Sequence, residues 1–129
     1  SQTPPPDSRI PGQPFAKQMF VNWYTKEAKK IIGERVRALA QKFGFTYQDI
    51  RIASARRRWG SCSIKDGLNF TWRLVMAPLP VIDYVVAHEL AHTRAKNHSR
   101  KFWLLVEQIM PDYRIHLNWL KKHEKSLSL

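Results

Sequence analysis

The sequence predicts an α+β domain, a small antiparallel sheet packed with about four helices. Two observations carry that reading. A long stretch of three- and four-residue apolar spacing opens the chain, and short runs of strict alternation follow it before helical segments resume. No segment repeats itself.

The first helix is expected over 15–43. There Phe20, Tyr24, Ala28, Ile31, Ile32, Val36, Leu39, Ala40 and Phe43 recur at helical spacing with Lys and Arg between them. Gly44 is a natural stop just past the last periodic residue. Ile50 and Ile52 alternate with Asp49 and Arg51 in a short strand over 47–53, and a second strand is expected over 58–63. Asp66-Gly67 signals a turn. The third strand, 68–74, alternates Leu68, Phe70, Trp72 and Leu74 with Asn69, Thr71 and Arg73, the pattern of a half-buried antiparallel strand. Pro78 and Pro80 suit the first turn of a helix running from 81 to 92 or 93. Two more helices are expected, over 99–110, ending before Pro111, and over 115–125, with Leu117, Trp119 and Leu120.

At 129 residues the chain has room for one domain with one core. We divide it into a proline-rich lead or linker, 1–14, and a folded domain, 15–129. The lead lacks the charged and apolar regions of a signal peptide. No apolar run approaches the roughly 18 residues that span a bilayer, so no membrane role is expected. The single cysteine, Cys62, excludes an internal disulfide and fits a cytoplasmic location. The net charge of +12 favours polyanions such as nucleic acid or nucleotides, although the basic residues are spread along the chain.

The chemistry centres on His88-Glu89-Leu90-Ala91-His92, an HExxH motif within the apolar helix after Pro80. Residues four apart on a helix differ by about 40° in direction and about 6 Å in height, so both imidazoles reach one ion. Glu89 lies about 100° round from His88, placed to act on a water at the ion as a general base and not as a third ligand. Six residues on, His98 would point away if the helix continued. The helix is therefore expected to end near Thr93, with the chain turning back through 94–97 and Asn97 tolerating a left-handed conformation. Glu107 on the next helix is the rival third ligand. Cys62 is the alternative that would close a structural site, against a plain packing role. Three protein ligands and one open position describe a catalytic zinc site, with one Zn²⁺ per chain. An oxyanion donor would come from Tyr84, Tyr113, His116 or the Arg56-Arg57-Arg58 run.

Three stretches together resemble one family: Arg58-Trp59-Gly60-Ser61-Cys62, then the run from Ile82 to His92, then Asn97-His98-Ser99 with Phe102-Trp103. The chain resembles the YgjP-like metal-dependent hydrolases, relatives of the SprT-like zinc metallopeptidases, from about Phe20 to Leu120. The resemblance implies a zincin-like core, zinc ligands at His88, His92 and His98, and a catalytic Glu89. The step from His92 to His98 also matches the third-ligand spacing of metzincins, but Ala95 stands where they carry glycine. Zincin folds commonly hold an extended peptide along an edge strand beside the active helix. Trp59, Gly60 and Ser61 are the substrate-binding residues expected on that basis, Gly60 for close backbone approach and Trp59 as a cleft wall. Trp59 and Trp72 equally suit a role as core aromatics.

The expected function is a zinc-dependent metallopeptidase acting on peptides or proteins. One zinc beside a glutamate suits attack on a carbonyl, whereas phosphoryl transfer usually recruits several carboxylates to hold Mg²⁺ or two metals. The alternatives are a DNA-associated SprT-like protease docking through the basic surface, and a nucleotide phosphohydrolase using the three arginines.

Overall fold

The computed structural model describes residues 14–56 and 58–124. All but one residue of the proline-rich lead, together with Arg57 and Lys125, therefore lie outside the described residues. The elements are α1 (Pro14–Phe43), β1 (Asp49–Ala53), β2 (Gly60–Cys62), β3 (Gly67–Thr71), a 3₁₀ helix (Trp72–Met76), α2 (Leu79–Ala91), α3 (Arg100–Ile109) and α4 (Tyr113–His123).

Helix α1 buries Ala28, Ile32, Val36 and Ala40, a four-residue repeat that forms one narrow stripe. It packs mainly on the 3₁₀ helix and α2. Its end is a Schellman turn: Gly44 takes φ +73° and the Phe45 N–H donates to the Ala40 carbonyl at 2.9 Å. Arg35 on α1 donates to Asp83 on α2 at 2.6 Å, pinning the two helices together. That hydrogen bond raises the arginine's pKa more than its burial lowers it.

The three strands lie in the order β1-β3-β2. Only β2 and β3 are antiparallel, with Gly60 opposite Phe70 and Cys62 opposite Leu68. Strand β1 runs parallel to β3, with Ile50 beside Leu68 and Ile52 beside Phe70. The sheet is thus mixed, which corrects the antiparallel expectation. Alternation reports which face is buried and says nothing about the direction of the neighbouring strand. The connection from β1 to β2 makes the crossover, with Ser54 and Ala55 leaving β1. It passes the end of β3, where the Ala55 carbonyl accepts from Thr71 Oγ1 (2.8 Å) and the Ser54 carbonyl from Arg73 Nη1 (2.8 Å).

The third strand also ends earlier than its alternation suggests. Thr71 Oγ1 accepts from the Arg73 N–H at 3.3 Å and caps the 3₁₀ turn. Trp72, Arg73 and Leu74 are then all buried in succession, which no strand facing water on one side permits. Trp72 and Leu74 join Phe70, Leu68, Ile32 and Leu90 in the core.

Helix α2 is apolar on nearly every side and runs through the middle of the domain, in contact with α1, α3, α4, β2 and the 3₁₀ helix. No described helix is long and apolar enough to cross a membrane.

Candidate metal centre

His88 lies in the last turn of α2, and His92 caps its C-terminal end. The chain then leaves the helix through a compact turn. Thr93 Oγ1 donates to the Leu90 carbonyl (2.6 Å), and the Ala95 N–H donates to the Ala91 carbonyl (3.0 Å). Asn97 is not left-handed; among the described non-glycine residues only Asp66 has a positive φ. The reversal is made instead by hydrogen bonds back to the helix end, and Ser99 starts α3 by accepting from the Phe102 N–H.

This turn delivers His98 to the other two histidines. His98 Nε2 lies 3.2 Å from His92 Nε2 and 3.3 Å from His88 Nε2. One nitrogen from each of the three lies within 4.8 Å of the others. Zinc–nitrogen bonds of about 2.0–2.1 Å at tetrahedral angles separate ligand nitrogens by about 3.3 Å, so the spacing fits. The chemistry of the donors fits as well. His92 Nδ1 lies 2.9 Å from the Ala95 carbonyl, which can only accept, so Nδ1 carries the hydrogen and Nε2 presents a bare lone pair. Burial, reinforced by the neighbouring histidines, lowers the pKa of His88 to about 3, and burial also lowers that of His92. Both rings are neutral at physiological pH, the state a metal ligand needs.

The rings are held from below by Phe102, fully buried, whose centroid lies 4.9, 4.3 and 5.0 Å from those of His88, His92 and His98. Trp103 stacks on His98 at 6.0 Å. Tyr84, one turn before His88, places its hydroxyl 3.3 Å from His88 Nδ1 and stacks on Tyr113. Of the four oxyanion-donor suggestions, Tyr84 is therefore engaged with a histidine. Tyr113 stacks on Tyr84, and His116 meets Asp112, the residue that precedes α4. Arg56 and Arg58 are exposed.

Glu89 is 4% exposed, and burial alone raises its pKa to about 8. It lies under β2, where Gly60 makes the room. A Cβ on Gly60 would stand 3.1 Å from Glu89 Oε2 and 3.0 Å from the Asn69 carbonyl oxygen. Glu107, the rival ligand, is exposed on α3 and does not join the histidine group. Cys62 stands at the edge of the cleft with its thiol 4.0 Å from Lys96 Nζ, and burial raises its pKa. It too is outside that group.

Two cavities meet at His88, Glu89 and Gly60. One, about 270 Å³, contains the three histidines and is rimmed by Arg58, Ser61, Cys62 and Lys96. The other, about 210 Å³, is walled by Trp59, Tyr84, Val85, Leu117 and Leu120. Trp59, Gly60 and Ser61 thus all line the cleft. The α4 wall has no counterpart among the sequence-based expectations, although Leu117, Leu120, Lys121 and Glu124 recur at three- and four-residue spacing and so share a helix face.

A zincin-like α+β core carrying a histidine cluster at the end of its central helix is the architecture of a metallopeptidase. The crystal structure of the Pyrococcus abyssi abylysin zymogen, described as a metallopeptidase zymogen, matches with a TM-score of 0.62 at 20% identity. That match covers 70% of this chain and 93% of that one. The Methanocaldococcus jannaschii jannalysin zymogen, described in the same words, matches with a TM-score of 0.53 at 23% identity, over 73% of this chain and 94% of the other. At such identities the likeness speaks for the fold. No curated protein matches the chain. The family model for the YgjP-like metallopeptidase domain matches residues 8–123, and the chain belongs to that family. Membership makes it a metallopeptidase and implies a metal.

Proposed function

We propose that the protein is a zinc-dependent peptidase in which His88, His92 and His98 hold a single Zn²⁺ and Glu89 is the general base. The approach of His98 Nε2 to within 3.2 Å of His92 Nε2 and 3.3 Å of His88 Nε2, beside a buried carboxylate, carries this reading. A bound Zn²⁺ supplies a Lewis acid that polarises the scissile carbonyl and acidifies a water.

The remaining work falls to the chain's own residues. Glu89 takes a proton from the attacking water at its carboxylate oxygen and delivers it to the leaving amine. It must be ionised to do so, and a cation among the histidines favours the charged form that burial opposes. Ala95 and Tyr84 orient the rings of His92 and His88 through their Nδ1 atoms. Strand β2 forms one wall of the cleft. Gly60 lets an extended peptide approach Glu89 closely, and Trp59 and Ser61 flank it.

Peptide hydrolysis is favoured over phosphoanhydride hydrolysis by the scarcity of carboxylates. Asp83 is committed to Arg35, and no described carboxylate joins the three histidines as a metal-ligating group. The cytoplasmic location and a nucleic-acid contact through the basic surface stand as parts of this proposal, resting on the lone cysteine and the +12 charge.

The test loads purified protein with zinc and offers it a peptide library and nucleoside triphosphates, each alongside Glu89→Gln. Peptide cleavage that Glu89→Gln abolishes is the expected result. Glu89-dependent release of pyrophosphate with every peptide intact would overturn the assignment.

A further inference from the structure

Next to the cleft lies a small cavity of about 10 Å³ lined by Arg56, Arg58, Arg73, Trp59 and Glu124, together with Ala55 and Thr71. It shares Arg58 with the histidine cavity and both Trp59 and Glu124 with the apolar one, so it continues the cleft past Trp59. Arg73 is its unusual member. The residue is only 6% exposed. Its Nη1 donates to the carbonyls of Ser54 and Ala55, while its buried Nε has no partner among the described residues.

No described carboxylate forms an ion pair with Arg73, Arg56 or Arg58. Burial and the charge of Arg56 both lower the pKa of Arg73, which is the mark of a cation facing a cation. Glu124 lines the same cavity but forms no ion pair with any of the three, and a buried guanidinium with no paired anion is costly unless one joins it.

The geometry points to a carboxylate-binding subsite at Arg56, Arg58 and Arg73, which receives the C-terminal carboxylate or an acidic side chain of a peptide lying in the cleft. The inference rests on the peptidase reading above and deepens it by naming a substrate class. A guanidinium N–H and one carboxylate oxygen make a charge-assisted hydrogen bond. The cavity has room for one water-sized atom, the size of a carboxylate oxygen. Glu124, which also lines the cavity, repels a doubly charged phosphate more than a singly charged carboxylate. A peptide reaching this subsite passes the wall of Trp59, Leu117 and Leu120, so an apolar side chain between the scissile bond and the carboxylate completes the fit.

The experiment uses the full zinc-loaded chain as Glu89→Gln, so that bound peptides survive. Three acetylated peptides of one sequence with a central leucine are compared: a free acid, an amide, and an amide carrying Glu in place of Gln beyond the leucine. The free acid or the Glu peptide should bind about tenfold more tightly than the plain amide, the scale of one charge-assisted contact. Whichever of the two tightens identifies the source of the carboxylate. The Arg73 Nε–H resonance should shift with that peptide, and the affinity gap should close in Arg56→Ala. Equal affinity for all three peptides would overturn the subsite, as would a gap that persists in Arg56→Ala, or inorganic phosphate displacing the peptide and shifting the same resonance.

The two readings fail separately. Wild-type enzyme that cleaves acid and amide peptides equally well removes the subsite and leaves the peptidase. An Arg56-dependent affinity gap in a protein that hydrolyses no peptide removes the peptidase and leaves the subsite.

Discussion

The Tyr84 hydroxyl stands 3.3 Å from Nδ1 of His88, one helical turn further along α2. When His88 Nε2 serves as a metal ligand, Nδ1 carries the ring hydrogen and donates it to the tyrosine oxygen. That contact fixes both the tautomer and the ring plane. Tyr84→Phe keeps the stacking on Tyr113 and removes only this partner. Zinc affinity measured by chelator competition should fall about 10- to 100-fold, with the fold retained by circular dichroism. Unchanged affinity would show that the contact orients nothing.

Gly60 tests the space beside Glu89. Its added Cβ would meet Glu89 Cγ and Oε2 at 3.1 Å each, and the Asn69 carbonyl oxygen blocks retreat at 3.0 Å. Gly60→Ala should lower kcat at least tenfold and cost about 1–3 kcal/mol of stability through overpacking. Zinc stoichiometry should stay at the wild-type value, because the histidines lie on other elements. A fully active Gly60→Ala enzyme would mean that Glu89 needs no such clearance.

The third-ligand assignment turns on two residues. Adding zinc to the metal-free chain should raise Tm, since a ligand held at 100 times its Kd stabilises by about 2.7 kcal/mol. His98→Ala should lose most of that rise, whereas Glu107→Ala, altering an exposed side chain on α3, should keep it. The reverse pattern would move the ligand to the carboxylate.

The buried Glu89 also sets a pH dependence in the metal-free chain. Its folded pKa of about 8 lies above the ordinary carboxylate value of 4.5, so the folded protein holds the proton more tightly than the unfolded chain does. The resulting stabilisation is complete below pH 4.5 and is lost as pH rises through about 8. Urea titrations of metal-free Glu89→Gln against wild type should show their difference growing across that window and levelling off above it. A difference independent of pH would mean that the carboxylate is solvated. Bound zinc should compress the window by favouring the ionised form.

Sequence alone determined the parts that local periodicity controls. The α1 stripe from Ala28 to Ala40, the Gly44 stop and the buried HExxH helix are readable because side-chain direction follows position within a single element. The pairing of His88 with His92 is of the same kind, and so is the end of α2 before His98, without which that histidine would point away. Tertiary structure decided what depends on neighbours. Strand β1 is parallel to β3 because the chain leaving β1 through Ser54 and Ala55 passes the end of β3, a crossover that leaves no trace in the alternation of Ile50 and Ile52. The strand expected through Leu74 stops at Thr71, because its hydroxyl caps a 3₁₀ turn that buries Trp72, Arg73 and Leu74 together. Phe102 beneath the histidines, Gly60 against Glu89 and the α4 wall of the cleft each join segments far apart in the chain. The contacts that set pKa, clearance and specificity form only when the elements pack, so no window of sequence contains them.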